Sequence, residues 1–207
     1  MKKPRANTRH ILAMLTMASQ ADIEQGKEWY DRAHRLGVRL MNAYGLSLGQ
    51  CVGVIAALSP NNKWERNCAD AESMIKAYAN GVDPMLVKVC TFNANKKKAA
   101  QIIELDMESA DPEAIPQILS GRKVVAFFKS IMGHNDAVCV DGHAYAIWLG
   151  ERVPTTQTPS IGVNLYAAIA RSYVLASHRA TEICGERLTP AQVQAVTWVT
   201  YRRLLGY

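Results

Sequence analysis

Eight consecutive residues, Cys51-Val52-Gly53-Val54-Ile55-Ala56-Ala57-Leu58, contain no polar side chain. A segment that is apolar all round has no face to offer water and belongs inside a core. Its alanines and glycine favour close helix packing over a β-strand. Ser47 stands where an N-cap should, so the run predicts a central helix over Leu48 to Leu58.

The rest of the chain repeats the helical period. Ile11, Leu12, Leu15 and Ala18 recur at helical spacing between Asn7 and Ser19. Asp22 is read as the cap of a second helix that carries Trp29, Ala33, Leu36, Leu40 and Tyr44 and stops at Gly45. Lys63 to Tyr78 presents Trp64, Cys68, Ala71, Met74, Ile75 and Tyr78 on one face, and a short helix is expected at Pro84 to Val89. Lys96, Lys97 and Lys98 fall in the first turn of the next helix, where positive charge opposes the helix dipole. They read either as a solvated face or as phosphate contacts. Asp111-Pro112 suggests a cap and N1 pair for a short helix to Leu119. Residues 150 to 162 form the longest expected loop. Asn164 to Ile183 reads as one helix, and Thr189-Pro190 opens the last one. The fold class expected is all-α, with about ten helices in a single domain over residues 1–207.

Composition bounds the function. A 207-residue chain that is 49% hydrophobic can bury a real core. No apolar run reaches the roughly 20 residues needed to span a bilayer, and the basic N-terminus lacks a signal-peptide core, so a cytoplasmic protein is expected. Cys51, Cys68, Cys90, Cys139 and Cys184 are scattered and contain no C-x-x-C pair. That argues against zinc, an iron–sulfur cluster or a disulfide framework, and no metal or other cofactor is expected. A net charge of +6 is compatible with a phosphate-rich partner.

The stretch most suggestive of chemistry is GRKVVAFFKSIMGHNDAVCVDGHAYAIW, Gly121 to Trp148. Val124, Val125, Phe127, Phe128, Ile131 and Met132 cover most of a helix circumference and predict burial. Ala137 to Val140 is too apolar for a solvated loop, and it delivers Asp141 to the start of another helix. An acid in that position is either an N-cap or a functional carboxylate. His143 could orient Asp141, bind phosphate or face a neighbouring helix, and His134 precedes the apolar run.

Four segments, taken in order, resemble the helix-hairpin-helix DNA glycosylase superfamily, especially its endonuclease III-like branch. They are VIAALSPNNKWERNCADAESMI, TFNANKKKAAQIIELD, ILSGRKVVAFF and VCVDGHAYAIW, spanning about residues 48 to 150. Lys123 and Asp141 lie eighteen positions apart, as do the catalytic Lys and Asp of bifunctional members. The resemblance implies a two-lobed helical fold with a degenerate hairpin, the hairpin and catalytic segment falling at about 111–150. It also implies a monomeric enzyme that flips a base out of DNA. Asp141 would stabilise charge growing on the sugar, and Lys123 would act as nucleophile or phosphate contact. Gly121, Arg122, Lys96, Lys97 and Lys98 would hold the backbone. Asn61, Asn62, Trp64 and Asn67 would stack and read the base, with His143 and His134 nearby.

The chain also departs from that pattern. Leu119-Ser120-Gly121 is two residues shorter than the superfamily's Leu-Pro-Gly-Val-Gly turn, the C-terminal cysteine cluster is absent, and the turn after Leu58 is amide-rich. These departures resemble the phage thymine-hypermodification branch, whose members are alpha-glutamyl and putrescinyl thymine pyrophosphorylase-like. That branch implies an amino-acid or polyamine co-substrate joined to an activated 5-hydroxymethyl pyrimidine, in a host's cytoplasm. A third reading is an inactive nucleic-acid-binding domain.

Overall fold

The computed structural model describes residues 5–106 and 113–206. It is all-α, with no strand among the described residues and no helix long and apolar enough to cross a membrane. The chain divides into two compact units, Met1–Asp31 with Gly133–Tyr207, and Arg32–Met132.

The second unit is built around helix α4, Leu48–Leu58. Every residue from Gln50 to Leu58 is buried, as the apolar run requires. Ser47 caps it in a reciprocal box with Gln50. Four helices pack against α4: α5 (Trp64–Ala79), α6 (Asn93–Ile103), α7 (Ala114–Leu119) and α8 (Arg122–Ile131). Gly53 permits this closeness, since a Cβ there would lie 2.9 Å from methyl carbons of both Ile102 and Ile115. Gln50 then satisfies the end of α6, donating through Nε2 to the carbonyls of Ile103 and Leu105.

The first unit is organised by its last helix. The helices α1 (Arg9–Thr16), α2 (Gln20–Lys27), α9 (Gly142–Leu149), α10 (Val163–Ser177) and α12 (Pro190–Leu204) share a core. Ile11, Leu15, Val138, Val140, Tyr173 and Val196 belong to it. Helix α3 (Trp29–Tyr44) contains the division between the units, and α11 (Ala180–Cys184) is a short turn of helix. Thr189 and Pro190 open α12 as the sequence predicts, with Gln192 completing a capping box.

Several expectations are corrected. Ser19, not Asp22, caps α2; Asp22 sits three residues inside and completes the capping box. The expected continuous helix from Asp22 breaks at Glu28 into α2 and α3. The expected helix from Asn164 to Ile183 likewise divides at His178 into α10 and α11, where Arg179 N–H bonds Ala176 O instead of continuing the ladder. Helix α8 is not wholly buried: Phe128 and Ile131 are, whereas Val124, Val125 and Phe127 are half-buried beside exposed Arg122 and Lys123. Tyr78 is 40% exposed. The inner face of α5 instead includes Asn67 and Asp70, each held by hydrogen bonds. Pro84–Leu86 is a single 3-10 turn rather than a helix to Val89. The Asp111-Pro112 cap lies outside the described residues.

Asp22 is nearly inaccessible, and Arg203 donates to both its oxygens at 2.9 and 3.0 Å. Burial works to raise the carboxyl pKa, but the Arg203 guanidinium and the Ser19 amide and hydroxyl outweigh it and hold the group below its ordinary range. A depressed folded-state pKa contributes stability above the unfolded value of about 3.9, and that contribution is lost as pH falls through the folded value. Asp22→Ala should therefore lower stability at pH 7 by about 2 kcal/mol. The difference from wild type should shrink in melts taken below about pH 4.

Candidate functional site

Asp141 is delivered by a buried but non-helical stretch, and that backbone needs partners. Tyr166 of α10 supplies them: its hydroxyl donates to Val138 O at 2.8 Å and accepts from Val140 N–H at 3.3 Å. The chain then turns into α9 with Asp141 extended at the N-cap. Asp141 Oδ1 accepts the Ala144 N–H at 2.8 Å. Its Oδ2 accepts from Trp198 Nε1 at 3.2 Å and lies 3.5 Å from His143 Nδ1. The Asp141 and His143 side chains retain 18% and 21% exposure, so the carboxylate is anchored yet reachable.

An aromatic cluster surrounds the acid. The rings of Trp29 and Trp198 lie 4.8 Å apart, and His143 meets Trp198 and Tyr201 edge-on at 6.2 and 5.8 Å. The Arg202 guanidinium carbon rests 4.5 Å from the centre of the Trp198 ring. Beneath them, Tyr173 is fully buried; burial, with the nearby Asp141 charge, raises its hydroxyl pKa and keeps it protonated. A carboxylate fixed through both oxygens beside half-buried aromatic faces can stabilise a nearby positive charge and stack a planar ring. His143 thus faces Asp141 and α12. His134 is exposed in the loop before the apolar run, and no hydrogen bond or ion pair joins it to Asp141 among the described residues.

The hairpin of the second unit has its own geometry. Ser120 adopts φ 59° and ψ −37°, and Gly121 N–H donates to Leu119 O at 2.7 Å. That is a γ-turn, a strained way to join α7 to α8 in few residues. Lys98 holds it, donating from Nζ to Leu119 O at 2.8 Å and to Ser120 Oγ at 2.7 Å. Lys96 donates to Met85 O at 2.6 Å, and Lys97 is exposed. Two of the three lysines therefore act on backbone carbonyls. Arg122 and Lys123 open α8 exposed.

The amide-rich turn mostly ties α4 to α5. Asn67 is 1% exposed and donates to Ile55 O at 3.0 Å, so it faces inward. Asn62 donates to Asp70 Oδ2 at 3.0 Å, and that oxygen also accepts the Cys90 N–H at 2.8 Å. Asn61 is exposed at φ 57°, and Trp64 is half-buried at the first position of α5. An open depression of about 330 Å³ between Tyr78, Val82 and Glu104 contains none of these residues. Among the described residues, no group of three His, Cys, Asp or Glu gathers to hold a metal. Cys51 is buried with its thiol pushed up to about 11 by desolvation, and Cys90 is exposed.

Sequence reasoning missed Trp198, Trp29 and Arg202. The four-residue spacing of Trp198 and Arg202 on α12 was a readable signal for their pairing, but nothing local links either to Asp141.

The fold and site define an all-α protein of two helical units with an aromatic-lined carboxylate in one of them. The chain belongs to the family of unknown function DUF7178, whose model matches residues 1–204. No curated protein and no solved structure matches it.

Two stability predictions follow from the geometry. Asp141→Asn keeps a capping oxygen for Ala144 whereas Asp141→Ala does not, so denaturant unfolding should find the alanine variant less stable by about 1 kcal/mol. Lys98→Met takes the ammonium from the Ser120 hydroxyl and leaves Leu119 O with the Gly121 N–H alone, and should cost about 1 kcal/mol by the same measurement.

Proposed function

We propose that the protein is a DNA-base-acting enzyme of the glycosylase type, with Asp141 as its essential acid. The observation that carries this reading is the state of the Asp141 carboxylate. One oxygen is pinned by a helix amide, the other by the Trp198 indole, and both lie beside partly open aromatic rings. In such a reaction the sugar–base bond breaks, the electron pair leaves with the base, and C1′ becomes positive. A fixed carboxylate stabilises that charge without reorganising. Water then adds to C1′; the resemblance alone implies the amine of Lys123 as the other nucleophile. The four ordered segments and the spacing of Lys123 from Asp141 support the same chemistry. The part given to Lys123 rests on that spacing alone and has its own test.

One observation favours a second reading, transfer of an amino acid or polyamine onto an activated 5-hydroxymethyl pyrimidine. The Gly121 N–H is spent on Leu119 O inside the γ-turn rather than offered outward. A hairpin built that way has lost a backbone donor for gripping duplex phosphate.

Oligonucleotides containing normal, uracil, oxidised, alkylated and 5-substituted pyrimidine bases, analysed by mass spectrometry, decide between them. A glycosylase releases base from at least one substrate, and Asp141→Asn, which preserves the cap, should slow release by about 100-fold or more. Borohydride should trap a covalent adduct with wild type and none with Lys123→Ala if Lys123 is the nucleophile. Base retained on every substrate, with mass gained on a 5-substituted pyrimidine when an amine is supplied, would replace the first reading with the second. No change on any substrate would reject both.

A further inference from the structure

We infer that Arg202 is a phosphate-binding residue of the Asp141 site, so that the site takes a phosphate-bearing nucleotide unit rather than a bare nucleoside or base. This rests on the reading of Asp141 as a base-acting carboxylate and names what the same site must also hold.

The two arginines that end α12 differ in their surroundings. Arg203 is fully engaged: its guanidinium grips Asp22 and donates to Met17 O at 3.0 Å. Arg202, one residue earlier, is half-buried, and among the described residues no hydrogen bond or ion pair takes its guanidinium. Its planar end instead lies over the Trp198 ring. The contact with the ring uses the guanidinium's charge and none of its N–H donors, and that donor fork matches phosphate oxygens. Arg202 stands in the last turn of α12, where the helix dipole favours a cation, and a half-buried guanidinium with no ion pair among the described residues still has its donors to offer an anion.

Trp198 relates that cation to the acid. Its face carries Arg202, and its edge donates to Asp141 Oδ2 at 3.2 Å. A ligand at the border of this cluster, beside Trp198, therefore meets positive charge on the Arg202 side and negative charge on the Asp141 side. A nucleotide in glycosidic cleavage has the complementary order: permanent anion at its phosphate, transient cation at C1′. Free base has neither charge, and a nucleoside lacks the first.

The phosphate could belong to a free nucleotide or to a polymer, and the test separates them. Calorimetry would compare thymidine, thymidine 5′-monophosphate and a single-stranded octathymidylate on wild type and Arg202→Met, which keeps an apolar chain over Trp198. Arg202→Gln, with a planar polar end, is the second variant, and melts check that both fold. The expected result is an affinity loss of about tenfold or more for a phosphate-bearing probe, with thymidine unaffected. Loss toward the monophosphate assigns the nucleotide, and loss toward the octamer alone assigns the polymer. Equal affinities of wild type and both variants, equal loss toward thymidine, or no binding of either phosphate-bearing probe overturns the inference. Phosphate binding that depends on Arg202 in a protein that releases no base would leave the phosphate site standing and sink the glycosylase reading.

Discussion

The approach of α2 to α12 at Gly26 is the constraint on which the first unit depends. A Cβ at residue 26 would sit 2.4 Å from Val196 Cα, so the helices meet there backbone to backbone. Such a contact fixes the rotation of α12 about its own axis, because only one face of that helix can approach so closely. Successive residues of a helix point about 100° apart. With Val196 directed at α2, Trp198 and Arg202 share one side, and Arg203 turns to Asp22. A rotation of α12 by one residue would bring Arg202 to the direction of Arg203 and turn Arg203 away from Asp22. The Asp22–Arg203 pair, bidentate at its carboxylate, holds the end of the helix against that slip.

The same fixed rotation resolves an apparent choice at Asp141. Capping and function are commonly treated as alternatives for an acid at a helix start. Here the cap occupies one oxygen and leaves the other to the Trp198 indole. The extended backbone at Asp141, φ −103° and ψ −173°, directs Oδ1 to the Ala144 amide. Oδ2 is thereby aimed at the indole of Trp198, which is in place only because α12 is. The cap is what orients the carboxylate, and a residue that capped poorly would also aim poorly.

How far these features were legible in the sequence follows the distance over which each is determined. Ser47 with Leu48–Leu58, Gly45 after α3, and Thr189-Pro190 before α12 are local choices, and each was readable from a few neighbouring residues. Burial of Val138, Cys139 and Val140 was readable from their apolarity alone. Asp22 misled because Ser19 and Asp22 are both good caps; only Arg203, 181 residues away, decides that Asp22 turns inward. Asn67 misled for the same reason: an amide in a polar turn looks like a surface reader until the open end of α4 claims it through Ile55 O. Trp198, 57 residues beyond Asp141, carried no mark of its partner at all.

The hairpin shows what a very short turn demands of its surroundings. A turn as short as Leu119-Ser120-Gly121 must redirect the chain within one residue, and Ser120 takes a positive φ that glycine would accept more easily. Ser120 contributes what glycine cannot, a hydroxyl for Lys98 Nζ, and the same ammonium satisfies the carbonyl at the end of α7. A lysine that reads from sequence as a phosphate contact is thus recruited to hold the turn. The outward-facing charge at the start of α8 is left to Arg122 and Lys123. Charge carried by exposed side chains is screened by salt far more than charge held by fixed partners. The Asp141 carboxylate is the opposite case, fixed through both oxygens by a helix amide and an indole, so that its position is set by geometry.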